Sequence, residues 1–363
     1  MFEEPLPGDA MFRYTGTGTL HDKIIGKKRC GFEAVQFRKA TIQLRCVIPA
    51  LLLSSGFASR MIKVVGKTSN GSRLVFHGPA LVTNTRDRFG PGRTRETQLV
   101  YTCSGGPAYL RVGRATCNGR TEVRFALTNL TLGGGNNDAL ALTLGQKSLR
   151  LSKLPDYAHR IALVKANSST DITCELKTFI KNSEALRSLR PLVSKICTLL
   201  SFARGTLISS PYFSLVNANG VPSYREHGSA YTRDFVADPV IHPTANVEDT
   251  KRFVEKAHKQ FLKLDPIYNI QKVVSAYVDG RSAGYSETKG LVLGSLADYL
   301  AGIWAERNEG GRVVSAAKFK KLIGSKGGAS KLLKDVFPAL SSQEIEQMAE
   351  NMACLNNRSF KSS

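Results

Sequence analysis

Ile42-Gln43-Leu44-Arg45-Cys46-Val47-Ile48 alternates apolar with polar side chains, and Val123-Arg124-Phe125-Ala126-Leu127 and Leu140-Ala141-Leu142-Thr143-Leu144 continue the same period of two. That spacing belongs to strands with one face buried and one face wet. Asn70-Gly71 and Asn118-Gly119 sit between such runs, and both residue types accept the positive φ of tight two-residue hairpins. Gly105-Gly106 and Gly133-Gly134-Gly135 punctuate further strands. Residues 1–170 are therefore expected to form an antiparallel β-sandwich or open barrel.

The period changes after Ile180. Leu189, Val193, Ile196, Leu200 and Ala203 fall on one helical stripe, with Pro191 suited to a first turn and Gly205 to a left-handed stop. Residues 171–245 read as a connecting region holding this one buried helix, with a further strand near Tyr231 to Val236. From 246 to 363 the stripes are helical throughout. They are Phe253, Ala257, Phe261 and Leu264, then Ile270, Val273, Val274, Tyr277 and Val278, then Val292, Leu296, Tyr299, Leu300 and Ile303. Ser341 and Glu344 have capping-box spacing ahead of Ile345. The fold class is thus α+β, a β-rich first part followed by an all-α helical domain.

At 363 residues the chain is too long for one core, and 42% hydrophobic with 22% charged residues excludes a disordered or fibrous polymer. The longest apolar run, Val47 to Ala58, falls short of a bilayer span, and the acidic start MFEEPLPGD is unlike a secretory signal, so the chain reads as cytoplasmic. The seven cysteines include no CxxC pair, which suggests reduced core thiols rather than disulfides or a metal site. Neither metal nor cofactor is expected.

Charge is the strongest compositional signal. Of the net +22, residues 1–170 carry +15 (25 Lys and Arg against 10 Asp and Glu) and residues 171–363 carry +7 (26 against 19). Such an excess attracts anionic partners, nucleic acid first, through counterion release. RDRFGPGRTRE places Arg86, Arg88, Arg93 and Arg95 around a Gly-Pro turn with Phe89 free to stack on a base, a combination suited to single strands. Lys318, Lys320 and Lys321 form a second basic strip in the helical part.

Several motifs fail on inspection. Gly66-Lys67-Thr68 has Met61 where a phosphate-binding loop needs glycine, and Gly16-Thr17-Gly18 has His21 where the dinucleotide fingerprint needs its third glycine. No HExxH or GxSxG stretch occurs, so metalloprotease and serine-hydrolase chemistry lack support.

LVSKICTLLSFARGTLISSPYF, IQKVVSAYVDGRSAGYSETKGLVLGSLADYLAGIW and the closing FPALSSQEIEQMAENMACLNNRSFKSS together resemble the HEPN-containing abortive-infection proteins of the ApeA kind. The resemblance covers about residues 175–363 and is one of layout and local wording. It implies a HEPN-like helical bundle, anti-phage defence, RNA as substrate, a metal-independent ribonuclease in the full-length form, a phage-derived trigger and a homodimer formed through the helical domain. In that family an Arg and a His with four to six residues between them handle the phosphate charge and the 2′-hydroxyl proton. Here only Arg252 and His258 have that spacing, which chance alone supplies about once, and six helical residues would set them about 120° apart. The family's motif follows the segment matching LNNRSFKSS, so the chain is expected to stop short of it. Asp298 stands where related helices often carry an acidic residue and is a candidate positioning group. The alternative to the nuclease is a non-enzymatic protein that binds nucleic acid or a phage protein.

Overall fold

The computed structural model describes residues 10–37, 41–49, 59–89, 95–103, 108–115, 117, 120–133, 139–167, 169–228, 235, 239–241, 247–307, 331, 334–335 and 341–345. The expected turn at Asn118-Gly119 and most of the strand near Tyr231 lie outside them. The chain divides into two compact units, Met1–Asp265 with Asn269–Gly284, and Pro266–Tyr268 with Tyr285–Ser363.

The first unit is built on antiparallel strands. β1 (Ala10–Asp22), β2 (Gly26–Phe37) and β3 (Ile42–Pro49) form one meander, and β4 (Ser59–Thr68), β5 (Arg73–Phe89) and β6 (Arg95–Cys103) form a second. β1 pairs with β4 and β3 with β6, which closes the six strands into a ring. The sequence suggested a sandwich or an open barrel. The ring is closed because β4 has partners on both edges, a fact that period two does not encode. Asn70-Gly71 forms the expected β4–β5 turn, with Gly71 at φ 81. The two dismissed glycine motifs are cross-strand neighbours: Gly16 faces Thr68, Thr17 faces Lys67 and Gly18 faces Gly66. A Cβ on Gly66 would sit 2.4 Å from the Thr17 carbonyl oxygen, so the seam needs glycine.

β5 is the branch point. Its first half lies between β4 and β7 (Tyr109–Gly113), and its second half runs beside β6. The partner changes near Gly78, where a Cβ would fall 2.5 Å from Ala108. From β7 the sheet continues through β13 (Pro222–Gly228), β12 (Tyr212–Val216), β8 (Thr121–Thr128), β11 (Ile172–Ile180), β10 (Lys147–Lys153) and β9 (Ala139–Leu144), thirteen strands among the described residues. Residues 171–228, expected as a connector, thus supply three strands of this sheet.

The barrel interior holds one core, centred on Leu20, Ile42, Leu44, Phe76 and Leu99. A second core joins β8–β13 to the helices. Helix α1 (Tyr157–Ala166) precedes β11. Helix α2 (Ser183–Arg204) starts two turns earlier than expected because Asn182 caps it, accepting a bond from the Ala185 N–H at 2.9 Å, and Pro191 lies inside it. Gly205, at φ 61, ends it as anticipated. Arg204, 2% exposed, donates to the Ile241 carbonyl at 2.6 Å and to Thr250 Oγ1 at 2.7 Å, which ties α2 to helix α3 (Val247–Tyr268). Val254 and Phe261 of α3 enter the second core, and Val274 and Val278 of α4 (Ile270–Ser282) pack on Leu207. α3 up to Asp265 and all of α4 therefore belong to the unit that contains the sheet.

In the second unit, helix α5 (Ser286–Arg307) carries the expected third stripe, and the Tyr299 hydroxyl donates to the Tyr268 carbonyl. Ser341 and Glu344 form the reciprocal capping box. No described helix is long and apolar enough to cross a membrane.

Candidate nucleic-acid interface

Register lines up charges that the sequence scatters. Directly opposite one another across five strands stand Lys27 on β2, His21 on β1, Lys63 on β4, His77 on β5 and Tyr109 on β7. Residues that face each other in register project from the same side of a sheet. Two places along, Arg29, Thr19, Val65, Val75 and Arg111 form a second row, and Thr17, Lys67 and Arg73 begin a third. At ~4.8 Å per strand the first row extends about 19 Å.

Lys27, Arg29, Lys63, Lys67 and Arg73 are exposed, and none makes an ion pair among the described residues. Farther along β1 and β2 the same face behaves differently: Glu33 holds Arg13 at 3.1 Å and Arg45 at 3.0 Å. Lys67 and Arg73 stand directly opposite each other, like charges so placed weaken a sheet, and a stretch that only needed hydration would alternate signs as that around Glu33 does. The row ends on an aromatic platform. His77 stacks on Tyr109 with ring centres 5.5 Å apart, and the Arg111 guanidinium lies 4.0 Å from the Tyr109 ring centre.

Buried acids support the face from behind. Asp22 is fully buried and accepts from the Tyr101 hydroxyl at 2.9 Å and from the Ile24 and Ile25 N–H groups, with Arg60 Nε 2.9 Å away. This shapes the β1–β2 turn that carries Lys23 and Lys27. Glu226 receives Arg111 at 2.8 Å, Arg190 at 2.6 Å and the Tyr224 hydroxyl at 2.7 Å. Burial opposes its ionisation, but the Tyr224 hydroxyl and the two guanidinium groups outweigh burial and hold its carboxyl below the usual range. Glu226 therefore neutralises only one of its two arginines.

The residues singled out from sequence are distributed otherwise. Arg86, Arg88 and Phe89 on β5 face Gln98, Glu96 and Arg95 across the β5–β6 hairpin, and Arg93 lies outside the described residues, as do Lys318, Lys320 and Lys321. Arg252 is exposed and 3.6 Å from Asp249, whereas His258, six residues on, is buried and its Nε2 has no partner. Burial, then the Lys195 charge, lowers the His258 pKa. The structure does not bring this Arg and His together. Asp298 is an exposed carboxylate on α5. Among the described residues no cluster of three metal-ligating side chains occurs.

Sequence reading missed Lys63, Lys67 and Arg73 because they are isolated in the chain. Only Lys23, Lys27, Lys28 and Arg29 form a visible local cluster. Compared with known proteins, the chain matches no family model, no curated protein and no solved structure.

Proposed function

We propose that this protein binds single-stranded RNA on the outer face of its β-barrel and serves anti-phage defence in the cytoplasm in the manner of the ApeA-like HEPN proteins it resembles. The observation that carries the binding role is the unpaired Lys27–His21–Lys63–His77 row ending on Tyr109. Cations that follow a backbone, next to an aromatic ring, are how proteins hold single strands without reading their sequence. The ribonuclease half of the reading, with its HEPN bundle and dimer, is supported by the resemblance and by the helical character of residues 247–307. Because Arg252 and His258 point to different environments, the reading assigns them no part in cutting RNA.

The test is a salt titration of single-stranded RNA affinity for wild type and for a variant with Lys27, Lys63, Lys67 and Arg73 changed to Gln. If each cation meets one phosphate, the slope of log K against log salt should fall by about 2.8, at roughly 0.7 per phosphate for single strands. An unchanged slope would reject the barrel face, and an Arg86/Arg88/Arg93/Arg95 to Ala variant that lost the slope instead would move the site to the hairpin. Incubation with total RNA without divalent metal separates the two classes: cleavage supports the nuclease, and binding without cleavage supports a non-enzymatic binder.

A further inference from the structure

The cation row does not end in open surface. Past Tyr109 the register continues to Gly228 on β13, whose N–H donates to the Pro211 carbonyl at 2.9 Å. The second row likewise continues from Arg111 to Glu226, Phe213 and Phe125. Pro211, Phe213, Phe125, Glu226 and Gly228 all line one cleft of about 410 Å³, roofed by α2 and α4. That volume lies within the usual range for small-molecule sites. A Cβ built on Gly228 would meet nothing within 4 Å, so there is open space beside this residue where it lines the cleft.

The lining has a consistent chemistry. Phe125 and Phe213 give an aromatic floor, with ring centres 5.4 Å apart. Arg190 lies at the mouth, 4.8 Å from the Phe213 ring centre, as a planar guanidinium of the kind on which bases stack. Ser194 of α2 and Gln271 and Ser275 of α4 line the cavity with side chains that make no hydrogen bond among the described residues. Glu226, the only carboxylate among the described lining residues, is already engaged by Arg111 and Arg190. Such a cavity takes a flat, uncharged, hydrogen-bonding ring and leaves a phosphate outside.

The floor is held in place from the barrel. Arg225 donates to the Tyr14 oxygen at 3.2 Å, and the Tyr14 hydroxyl lies 2.9 Å from His227 Nε2. His227 Nδ1 then donates to Gln36 Oε1 at 2.5 Å, and the Gln36 amide donates to the Pro211 and Gly228 carbonyls. The relay fixes both strands at the cleft entrance.

We infer that this cleft is a base pocket: a nucleobase splayed from a strand lying on the cation row enters past Gly228, stacks near Phe213 and Arg190, and bonds to Ser194, Gln271 and Ser275. The inference rests on the RNA-binding reading and adds a site for one base.

The experiment compares a uridine oligonucleotide with an abasic ribose-phosphate strand of equal length, for wild type and for Ser275→Leu and Gln271→Leu separately. One stacked and bonded base should favour the uridine strand by roughly 5- to 150-fold. Each variant should lose that preference by fivefold or more while keeping wild-type affinity for the abasic strand, which also reports that it is folded. Gln271 is exposed, so its variant keeps the test informative should Ser275→Leu fail to fold. Equal preference in wild type and variants overturns the pocket and leaves the barrel face standing. No affinity of wild type for either strand overturns both.

Discussion

Asp22→Ala isolates the buried support of the cation row. The side chain is fully buried and its partner Arg60 is 8% exposed, so removal leaves a guanidinium in the barrel without a counter-charge. It also orphans the Tyr101 hydroxyl, whose pKa is pushed far up by burial first and by the Asp22 charge second. Breaking a buried pair from one side costs about 3–5 kcal/mol. For a unit this large, about 2 °C of melting temperature is lost per kcal/mol, so the variant should melt about 6–10 °C lower. Thermal unfolding followed by circular dichroism reads this directly. The cause is checked by Asp22→Leu combined with Arg60→Met, which removes both charges and should melt well above the single variant, since apolar replacement of a whole buried pair is often neutral. A single variant within about 2 °C of wild type would show that water reaches Arg60 and would refute the argument from desolvation.

Two further outcomes follow from buried groups. Burial, then the Arg225 charge, holds the His227 pKa well below its ordinary 6.5, so the fold gains from neutral His227 above pH 6.5 and loses that gain as pH falls below it. Melting temperature should therefore drop on acidification, and His227→Gln should flatten the profile; His258 shifts the same way, and a profile unchanged in His227→Gln would assign the effect there. Arg204→Met should lower the melting temperature by several degrees, because bonds from a charged donor are worth about 1.5–3 kcal/mol each and Ile241 and Thr250 lose theirs. A shift under about 2 °C would mean that α3 does not depend on this link.

The elements were legible and their neighbours were not. Alternation at 42–48 and 123–127 marks strands because burial of one face enforces it, and Asn70-Gly71 marks its hairpin because few residues accept that φ. Nothing in Ser59–Thr68 shows that it pairs with β1 on one edge and β5 on the other, which is the difference between an open and a closed barrel. Pro191 suggests a first turn, but the helix begins at Ser183 because the Asn182 cap and the second core outweigh one missing N–H. The Arg86–Arg95 cluster is conspicuous because its charges are adjacent in the chain. The row of Lys27, His21, Lys63 and His77 spans 57 residues of sequence and exists only through register.

That separation bears on what the row is for. The four cations Lys27, Lys63, Lys67 and Arg73 would be easier to fold with a carboxylate among them, and the chain has that device in hand, since farther along β2 it uses Glu33 between Arg13 and Arg45. The directly opposed pair Lys67 and Arg73 costs a few tenths of a kcal/mol. A row kept for binding should therefore trade against stability: the Lys27/Lys63/Lys67/Arg73 to Gln variant that loses RNA should melt at or above wild type. Charges that served the fold would behave the other way, with melting temperature and affinity falling together, and that joint fall would assign the row to structure rather than to RNA.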